Sequence, residues 1–110
     1  MLFSALTDLS LKHMAGPVTE EFDGVYVGDL LSRAMGHVQA GNLWITIMNN
    51  INVIAVASLA EASAVILAEG VVLTEDAEQA AREKEISVYS SEKSAFELCA
   101  QIAHCMGDAR

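Results

Sequence analysis

The sequence predicts an α/β protein, a three-layer α/β/α sandwich built on a mostly parallel sheet of four to five strands. Short apolar runs suited to buried strands alternate with helical segments, and right-handed β-α crossovers place helices on both faces of such a sheet. Apolar residues make up 53% of the chain and aromatic residues only 5%, so aliphatic side chains form most of the core. At 110 residues the chain suits one core, and we expect residues 1–110 to form a single domain.

The N-terminal third is predicted to contain a short helix, a short strand and the first β-α unit. Residues 2–6 are expected to form the helix and residues 9–14 the strand. Residues 24–27 form the next strand, after which Gly28-Asp29 turns the chain into a helix that Asp29 can cap. Three- and four-residue spacing predicts the inward face of this helix. That face consists of Leu30, Leu31, Ala34, Met35 and Val38.

The central stretch, residues 43–68, is the most apolar part of the chain, and asparagines interrupt it near its start. A membrane span needs roughly 20 unbroken apolar residues, and such amides would have no partners in lipid, so we exclude a transmembrane segment. We interpret the stretch as a strand over 43–47, a polar turn, a helix over 53–62 and a strand over 64–67. Periodicity alone also allows a strand over 53–62, but the alanine content, with Asn52 as a possible N-cap, favours a helix.

The following β-α unit is predicted from its caps and charges. Thr74 is placed to cap a helix whose first turn is acidic, which the helix dipole favours. Glu78 and Arg82 lie four residues apart and can pair on the solvent side. Residues 86–89 form the last predicted strand.

The final helix is predicted to begin after Ser90-Ser91, where Ser94 and Glu97 have the spacing of a capping box. Its apolar residues exceed what one face needs, so it either packs on two sides within the chain or forms half of an oligomer contact. We expect a homodimer through one stripe of this helix. The stripe assigned to the sheet is Phe96, Cys99, Ala100 and Ala103, and the stripe assigned to the dimer is Leu98, Ile102 and Cys105.

Charge and cysteine usage restrict the function classes. The formal net charge of −9 repels phosphate backbones and anionic lipid, so we expect neither nucleic-acid binding nor membrane binding. Cys99 and Cys105 lie six positions apart on one predicted helix, beyond disulfide geometry, and are expected to be reduced. The first residues do not have the pattern of a signal peptide. A cytoplasmic location is therefore expected.

Signatures of catalysis and of bound cofactors are not found in the sequence. There is no phosphate-binding G-x-x-x-x-G-K-[ST] loop and no G-x-S-x-G nucleophile elbow. His13, His37 and His104 have no metal-ligand spacing, and no Cys-x-x-Cys completes a metal set. We therefore expect no cofactor, no metal and no enzymatic activity, although Asp29 and Glu69 could form an acid/base pair.

Polar residues follow each predicted parallel strand, where the carboxyl ends of the strands meet at one edge of the sheet. Ligands of open α/β sheets usually bind in the crevice at this edge. We expect a small-ligand site there, and the alternative is that these residues only cap helices. The candidate ligand-binding residues are Asp29, Asn49, Asn50, Asn52, Glu69, Gly70, Ser90 and Ser91.

The segments GVYVGDLLSRAMGHV and AGNLWITIMNNINVIAVASLAEASAVILAEG resemble the DRTGG domain, a module of some phosphotransacetylases and bacterial regulatory proteins. The resemblance covers residues 22–100 and implies a fold similar to the N-terminal domain of HPr kinase/phosphatase, an α/β/α sandwich. Asn49-Asn50 stand where the family's Asp-Arg would fall, and Ala68-Glu69-Gly70 where its Thr-Gly-Gly would fall. These differences replace a cation by an anion and make the edge less attractive to phosphate groups.

The residues and the resemblance together predict a non-catalytic regulatory or small-ligand-sensing domain, which acts as a dimer with a metabolic or signalling partner. The alternative is a structural protein-interaction subunit with no small ligand.

Overall fold

The computed structural model describes residues 1–108, in which strands and helices alternate along most of the chain. The strands are β1 (Lys12–Ala15), β2 (Val25–Val27), β3 (Leu43–Thr46), β4 (Ala64–Leu67) and β5 (Val88–Ser90). The helices are α1 (Leu31–His37), α2 (Ile51–Ala60), α3 (Glu75–Glu83) and α4 (Ala95–Asp108), and a 3₁₀ turn covers Phe3–Ala5.

The strands form one five-stranded sheet in the order β1-β5-β4-β3-β2. Strands β2 to β5 run parallel to one another, and β1 joins the outer side of β5 in the antiparallel direction. Every residue of β3 and β4 is buried, as expected for aliphatic strands covered on both faces. The predicted fold class, a mostly parallel α/β sandwich, is confirmed.

Helices and strands form three layers with a hydrophobic core on each face of the sheet. One core contains Trp44 and Val65 beneath the inner sides of α1, α2 and α3. The other core contains Ile45 and Ile66 beneath α4 and the N-terminal segment. Because successive strand residues point to opposite faces, Trp44 and Ile45 lie in different cores.

The predicted boundaries near the N-terminus are only partly right. Instead of a helix over 2–6 there is a three-residue 3₁₀ turn, and the strand predicted over 9–14 is β1, which begins at Lys12. Asp8 and Ser10 have φ angles of 61° and 54°, a left-handed conformation that cannot continue an extended strand. The strand predicted over 86–89 is likewise found later, at Val88–Ser90.

Helix α2 confirms the choice of helix over strand, but its cap differs from the predicted one. The helix begins at Ile51 with Asn50 as its N-cap, and the Asn50 side chain accepts a hydrogen bond from the backbone N–H of Asn52. Asn52 therefore lies inside the first turn, and its role as the cap is wrong. Adjacent asparagines have similar capping propensity, so composition does not decide which one caps.

Helix α1 uses a narrower inward face than predicted. Ala34 and Val38 are buried, whereas Leu30 and Met35 are 59% and 63% exposed. The helix begins at Leu31, so Leu30 precedes it. Leu31, Ala34 and Val38 pack on the core at spacings of three and four residues, and this face turns Met35 toward solvent.

Helix α4 packs with the opposite face from the one predicted. Leu98, Ile102 and Cys105, the stripe assigned to the dimer, are buried against the sheet, whereas Phe96 is 80% exposed. Both stripes are apolar, so periodicity cannot order them, and the face with two bulky aliphatic side chains fills the core better. A homodimer through the predicted stripe is therefore wrong, because the chain itself covers that stripe.

Two of the predicted helix contacts are present, and the side-chain cap by Thr74 is not. In the capping box, the backbone N–H of Ser94 donates to Glu97 Oε1 (3.0 Å) and the N–H of Glu97 donates to Ser94 Oγ (3.1 Å). Arg82 forms the expected ion pair with Glu78. Thr74 occupies the N-cap position of α3, although its hydroxyl donates to Asp76 Oδ1 (2.6 Å) and does not bond to the helix backbone.

Candidate functional site

The carboxyl ends of β2, β3, β4 and β5 lie at one edge of the sheet, as the parallel pairing requires. The turns that leave these strands cover residues 28–30, 47–50, 68–74 and 91–94. Of the eight predicted site residues, all but two lie in these turns; Ser90 ends β5 and Asn52 lies in the first turn of α2. The topology therefore brings the predicted residues to one side of the molecule.

Asp29 joins the first turn to the second. Its Oδ1 atom accepts hydrogen bonds from the hydroxyl of Thr46 (2.7 Å) and from the backbone N–H of Ile47 (2.9 Å). The N-cap of α1 is Leu30, with no side-chain cap bond, so the predicted capping role of Asp29 is wrong. The carboxylate binds the end of β3 because Thr46, a buried polar side chain, needs a partner there.

Asn49 joins the second turn to the third, and its two asparagine neighbours differ from it in surroundings. The Asn49 side-chain amide donates to the backbone carbonyl of Val72 (2.8 Å). The backbone carbonyl of Asn49 accepts from the backbone N–H of Thr74 (3.2 Å). Asn50 caps α2. The side chain of Asn52 is exposed and makes no hydrogen bond within the described residues.

Glu69 and Gly70 form the tight turn after β4. Their φ angles are 59° and 74°, and their backbone N–H groups donate to the carbonyls of Lys93 (2.9 Å) and Ser91 (2.8 Å) in the fourth turn. The left-handed conformation is easy for glycine but costs energy for a glutamate, and such strain often occurs where a backbone serves a function. The Glu69 side chain itself is exposed.

Ser90 and Ser91 are buried, and their hydroxyls donate hydrogen bonds to backbone carbonyls of other segments. The Ser90 hydroxyl donates to the carbonyl of Val71 (3.0 Å). The Ser91 hydroxyl donates to the carbonyl of Leu9 (2.6 Å) and accepts from the N–H of Lys93 (3.1 Å), and this residue is only 2% exposed. Both hydroxyls hold backbone segments in place, and neither has a free face toward solvent.

The four turns thus form one continuous edge in which each turn is hydrogen-bonded to the next. Four of the predicted residues have exposed side chains on this edge, namely Asp29, Asn50, Asn52 and Glu69. Sequence reasoning missed Thr46 and Lys93, which fix the edge from within. Thr46 is the only polar residue in β3, and a lone hydroxyl at the end of a buried strand is a signal that could have identified it.

Carboxylates already occupy the helix N-termini of α3 and α4. Asp76 accepts from the Thr74 hydroxyl and from the N–H of Ala77, and these hydrogen bonds lower its pKa below the ordinary value. The backbone N–H and hydroxyl of Ser94 likewise lower the pKa of Glu97. Acids bonded at these two helix N-termini take up the positive ends of their dipoles, so α3 and α4 offer little attraction to a further anion, whereas α1 and α2 have no acid in their first turns.

In the part of the chain that the structure describes, the thiols and ionisable groups outside these turns are not grouped into a metal site. Cys99 and Cys105 are free, and burial raises the pKa of the Cys99 thiol. Within residues 1–108, no three His, Cys, Asp or Glu side chains are grouped so that they could hold a metal ion. In the same part of the chain, no helix has the length and apolar character needed to cross a membrane.

The fold is similar to a crystal structure of the CBS and DRTGG domains from the regulatory region of a Clostridium perfringens pyrophosphatase, complexed with the activator diadenosine tetraphosphate. The TM-score is 0.74 and the sequence identity is 15%, over 94% of this chain and 46% of that chain. The chain therefore spans less than half of that structure, and the likeness supports a DRTGG-like fold. No protein-family model matches the chain, and no curated protein is similar to it in sequence.

Proposed function

We propose that this chain is a non-catalytic regulatory domain that senses a small ligand at the C-terminal edge of its sheet. In this proposal the domain works in the cytoplasm, as a homodimer, with a metabolic or signalling partner. The observation that carries it is the continuous edge of four hydrogen-bonded turns, on which Asn52 and Glu69 present exposed polar side chains. The likeness to the regulatory region of a pyrophosphatase supports it at the level of the fold.

The chemistry of the edge favours an uncharged or cationic ligand. Asp29, Glu69 and Glu92 contribute negative charge, and Lys93 is the base in these turns. The neighbouring structure is complexed with diadenosine tetraphosphate, but a polyphosphate brought to this edge would meet these carboxylates and the acids bonded at the N-termini of α3 and α4. Exposed amide and carboxylate oxygens suit hydroxyl, amide or ammonium groups of a small metabolite.

A non-catalytic role is supported by how Asp29 and Glu69 are used. Asp29 holds the end of β3 through Thr46 and Ile47, and the exposed side chain of Glu69 belongs to a different turn. An acid/base pair needs both carboxylates within reach of one substrate proton. Asp29 instead serves as a bridge between two turns.

The test is a thermal-shift series on the whole chain with three panels: uncharged metabolites such as nucleosides and sugars, cationic ones such as polyamines, and nucleotides. A ligand that binds the native state raises Tm with concentration, and we expect the rise in one of the first two panels. Asn52→Ala and Glu69→Gln should abolish it, whereas Gln79→Ala, an exposed amide on α3, should not. A response confined to nucleotides would overturn the ligand class, and silence in all panels would overturn ligand sensing.

The second candidate function is a structural protein-interaction subunit without a ligand. It is favoured by an apolar surface beside β2 that has no cover within the described residues. Silence in the thermal-shift series would leave this function as the better one.

A further inference from the structure

An apolar groove runs between the outer strand β2 and helix α4. Its volume is about 330 Å³, and its lining consists of Val25, Val27, Cys99, Ile102, Ala103 and Met106. Phe96 continues the surface along α4, because it lies one turn before Cys99 and two turns before Ala103 on the same side of the helix. Apolar surface of this kind usually marks a contact with another molecule.

The outer side of β2 also offers unpaired backbone groups. The carbonyl of Gly24 and the N–H of Gly28 bond to β3, and backbone direction alternates along a strand, so the groups of Tyr26 face β3 as well. Those of Val25 and Val27 therefore point outward, where β2 has no neighbouring strand. Such an edge is a template for another strand.

We propose that a second copy of this chain covers this surface, with the two β2 strands paired antiparallel about a two-fold axis at Tyr26. In this register Val25 of each copy lies opposite Val27 of the other, and the outward N–H and C=O groups exchange hydrogen bonds. The two Tyr26 residues form the non-hydrogen-bonded pair, which matches the inward direction of their backbone groups. The surface is thus complementary to itself, as a two-fold contact requires.

Charge makes this surface a better place for two copies of the chain to meet than its charged surfaces. Each copy has a formal net charge of −9, so close approach of two copies is unfavourable except where the surface is uncharged. The groove lining and Phe96 contain no acidic or basic side chain. Beyond the strand, the same register brings Asp23 opposite Asp29, and this like-charge pair limits the pairing to the three residues of β2.

The available area predicts a reversible dimer. Helix α4 has 14 residues, which is about 21 Å of length, and the helix with the adjoining strand edge is roughly 20 Å wide. The footprint is therefore about 400 Å² on each copy, below the ~800 Å² of a standard stable interface. We expect association at tens to hundreds of micromolar, strengthened by salt because salt screens the like charges.

Sedimentation of the whole chain tests the proposal, from about 5 to 500 micromolar. We expect the mass to rise from the 11.7 kDa of the monomer to twice that value, and to rise further at a given concentration when salt is added. Val27→Lys should remain a monomer, because a lysine at the outer strand blocks pairing. Leu59→Lys is the matched control: Leu59 is 79% exposed on α2, and this variant should associate like the wild type.

Disulfide trapping tests the register. In a background of Cys99→Ala and Cys105→Ala, Tyr26→Cys should form a disulfide-linked dimer on mild oxidation, because a non-hydrogen-bonded pair has Cα atoms about 4.5 Å apart. Val25→Cys should not, since the two copies of residue 25 would lie beyond the roughly 7 Å limit. The test of Val27→Lys does not depend on whether these cysteine variants fold.

Three results would overturn the proposal. A wild-type chain that is monomeric at the highest concentration has no such dimer, and its groove serves another partner. A Val27→Lys variant that associates like the wild type places the contact elsewhere. Preferential trapping of Val25→Cys over Tyr26→Cys excludes the antiparallel pairing. The proposed ligand edge is tested separately, by thermal shift with variants of Asn52 and Glu69, so failure of the dimer and failure of ligand sensing can be told apart.

Discussion

The two outer strands end the sheet in opposite ways. β1 pairs antiparallel with β5, its register shifts between His13 and Ala15, and Lys12 is exposed on it. An irregular strand with a lysine is a poor template for pairing with another chain. β2 has three regular residues, Val-Tyr-Val, with no charge and no proline. The chain thus closes the β1 edge of the sheet with its own sequence and leaves the β2 edge open for a partner.

The β1 edge of the sheet, the closed edge, is also held by the segment that follows β1. Gly16 turns the chain with a φ of 75°, and the carbonyl of Pro17 accepts a hydrogen bond from the Ser87 hydroxyl (2.6 Å). The backbone N–H of Thr19 donates to the hydroxyl of Tyr89 (2.8 Å). Within residues 1–108, no comparable side-chain contacts fix the outer side of β2.

Gly16→Ala should break the closed edge and have the largest effect. A Cβ atom at this position would lie 1.9 Å from the carbonyl oxygen of Ile86, in a left-handed conformation. We expect a loss of about 3 kcal/mol or more in the free energy of unfolding, measured by urea denaturation. Gly36→Ala is the control, because no atom beyond its chain neighbours and the adjacent helix backbone lies within 4 Å of its added Cβ and alanine is better than glycine in a helix by about 0.5–1 kcal/mol. Equal stability of the two variants would contradict the described contact.

Ser91→Ala should loosen the same side of the sheet by a smaller amount. It leaves the carbonyl of Leu9, just before β1, without its buried hydroxyl partner, which costs about 1–3 kcal/mol. Hydrogen exchange should become faster at the amides of β1 and stay unchanged at β2. Ser32→Ala, at an exposed serine of α1, should alter neither quantity, and faster exchange at β2 would show that the two edges are not independent.

The capping box of α4 tests the helix beside the open edge. Ser94→Ala removes the hydroxyl that accepts from the N–H of Glu97, and loss of such a cap costs about 1 kcal/mol. Urea denaturation measures this loss. If α4 also forms part of the dimer, the variant should weaken self-association in sedimentation, and an unchanged dimer would place the start of α4 outside the contact.

The same box predicts a dependence of stability on pH. The backbone N–H of Ser94, and then its hydroxyl, lower the pKa of Glu97 below its ordinary value of 4.5. Because the folded-state pKa is the lower one, the stabilisation is present above about pH 4.5 and disappears as pH falls through the folded-state value. The difference in unfolding free energy between wild type and Glu97→Gln should therefore shrink from pH 6 to pH 3. A difference that stays constant would contradict the bond.

Lys12→Val should have the smallest effect. The residue is exposed, so the unfolding free energy should change by less than about 0.5 kcal/mol. Sedimentation should show no new association, because the register shift between His13 and Ala15 remains. New oligomers in this variant would show that the lysine, and not the irregular pairing, closes the edge.

The order and type of the helices and strands were easier to predict from the sequence than the side of each helix that packs on the sheet. The strand over 64–67 and the helix after Asn50 were recognisable because aliphatic runs and alanine content are local properties. The orientation of α4 was not, since both of its stripes are apolar and only the shape of the sheet selects Leu98 and Ile102. The same limit applies to Met35, because its neighbour Ala34 is also apolar and only the packing of α1 on the sheet selects Ala34 for the core.

The position of the candidate ligand edge was predictable from the sheet topology, but the contacts that its residues make were not. Parallel strands bring Asp29, Asn49 and Glu69 to one side whatever their contacts are. Whether Asp29 caps a helix or bridges to Thr46 depends on the register between β2 and β3, which no local pattern encodes. The burial of Ser91 likewise depends on the N-terminal segment passing over the end of β5.

The bridge made by Asp29 connects the two proposed activities through one oxygen atom. Asp29 Oδ1 is bonded to the end of β3 and lies two positions beyond the last residue of β2. A ligand that competes for this oxygen would release the end of the strand that carries the open edge. Occupancy and self-association would then be thermodynamically linked: the factor by which the ligand changes the dimer dissociation constant equals the factor by which dimerisation changes the ligand's affinity. The concentration of the domain itself would in that case set the range of ligand concentrations to which it responds.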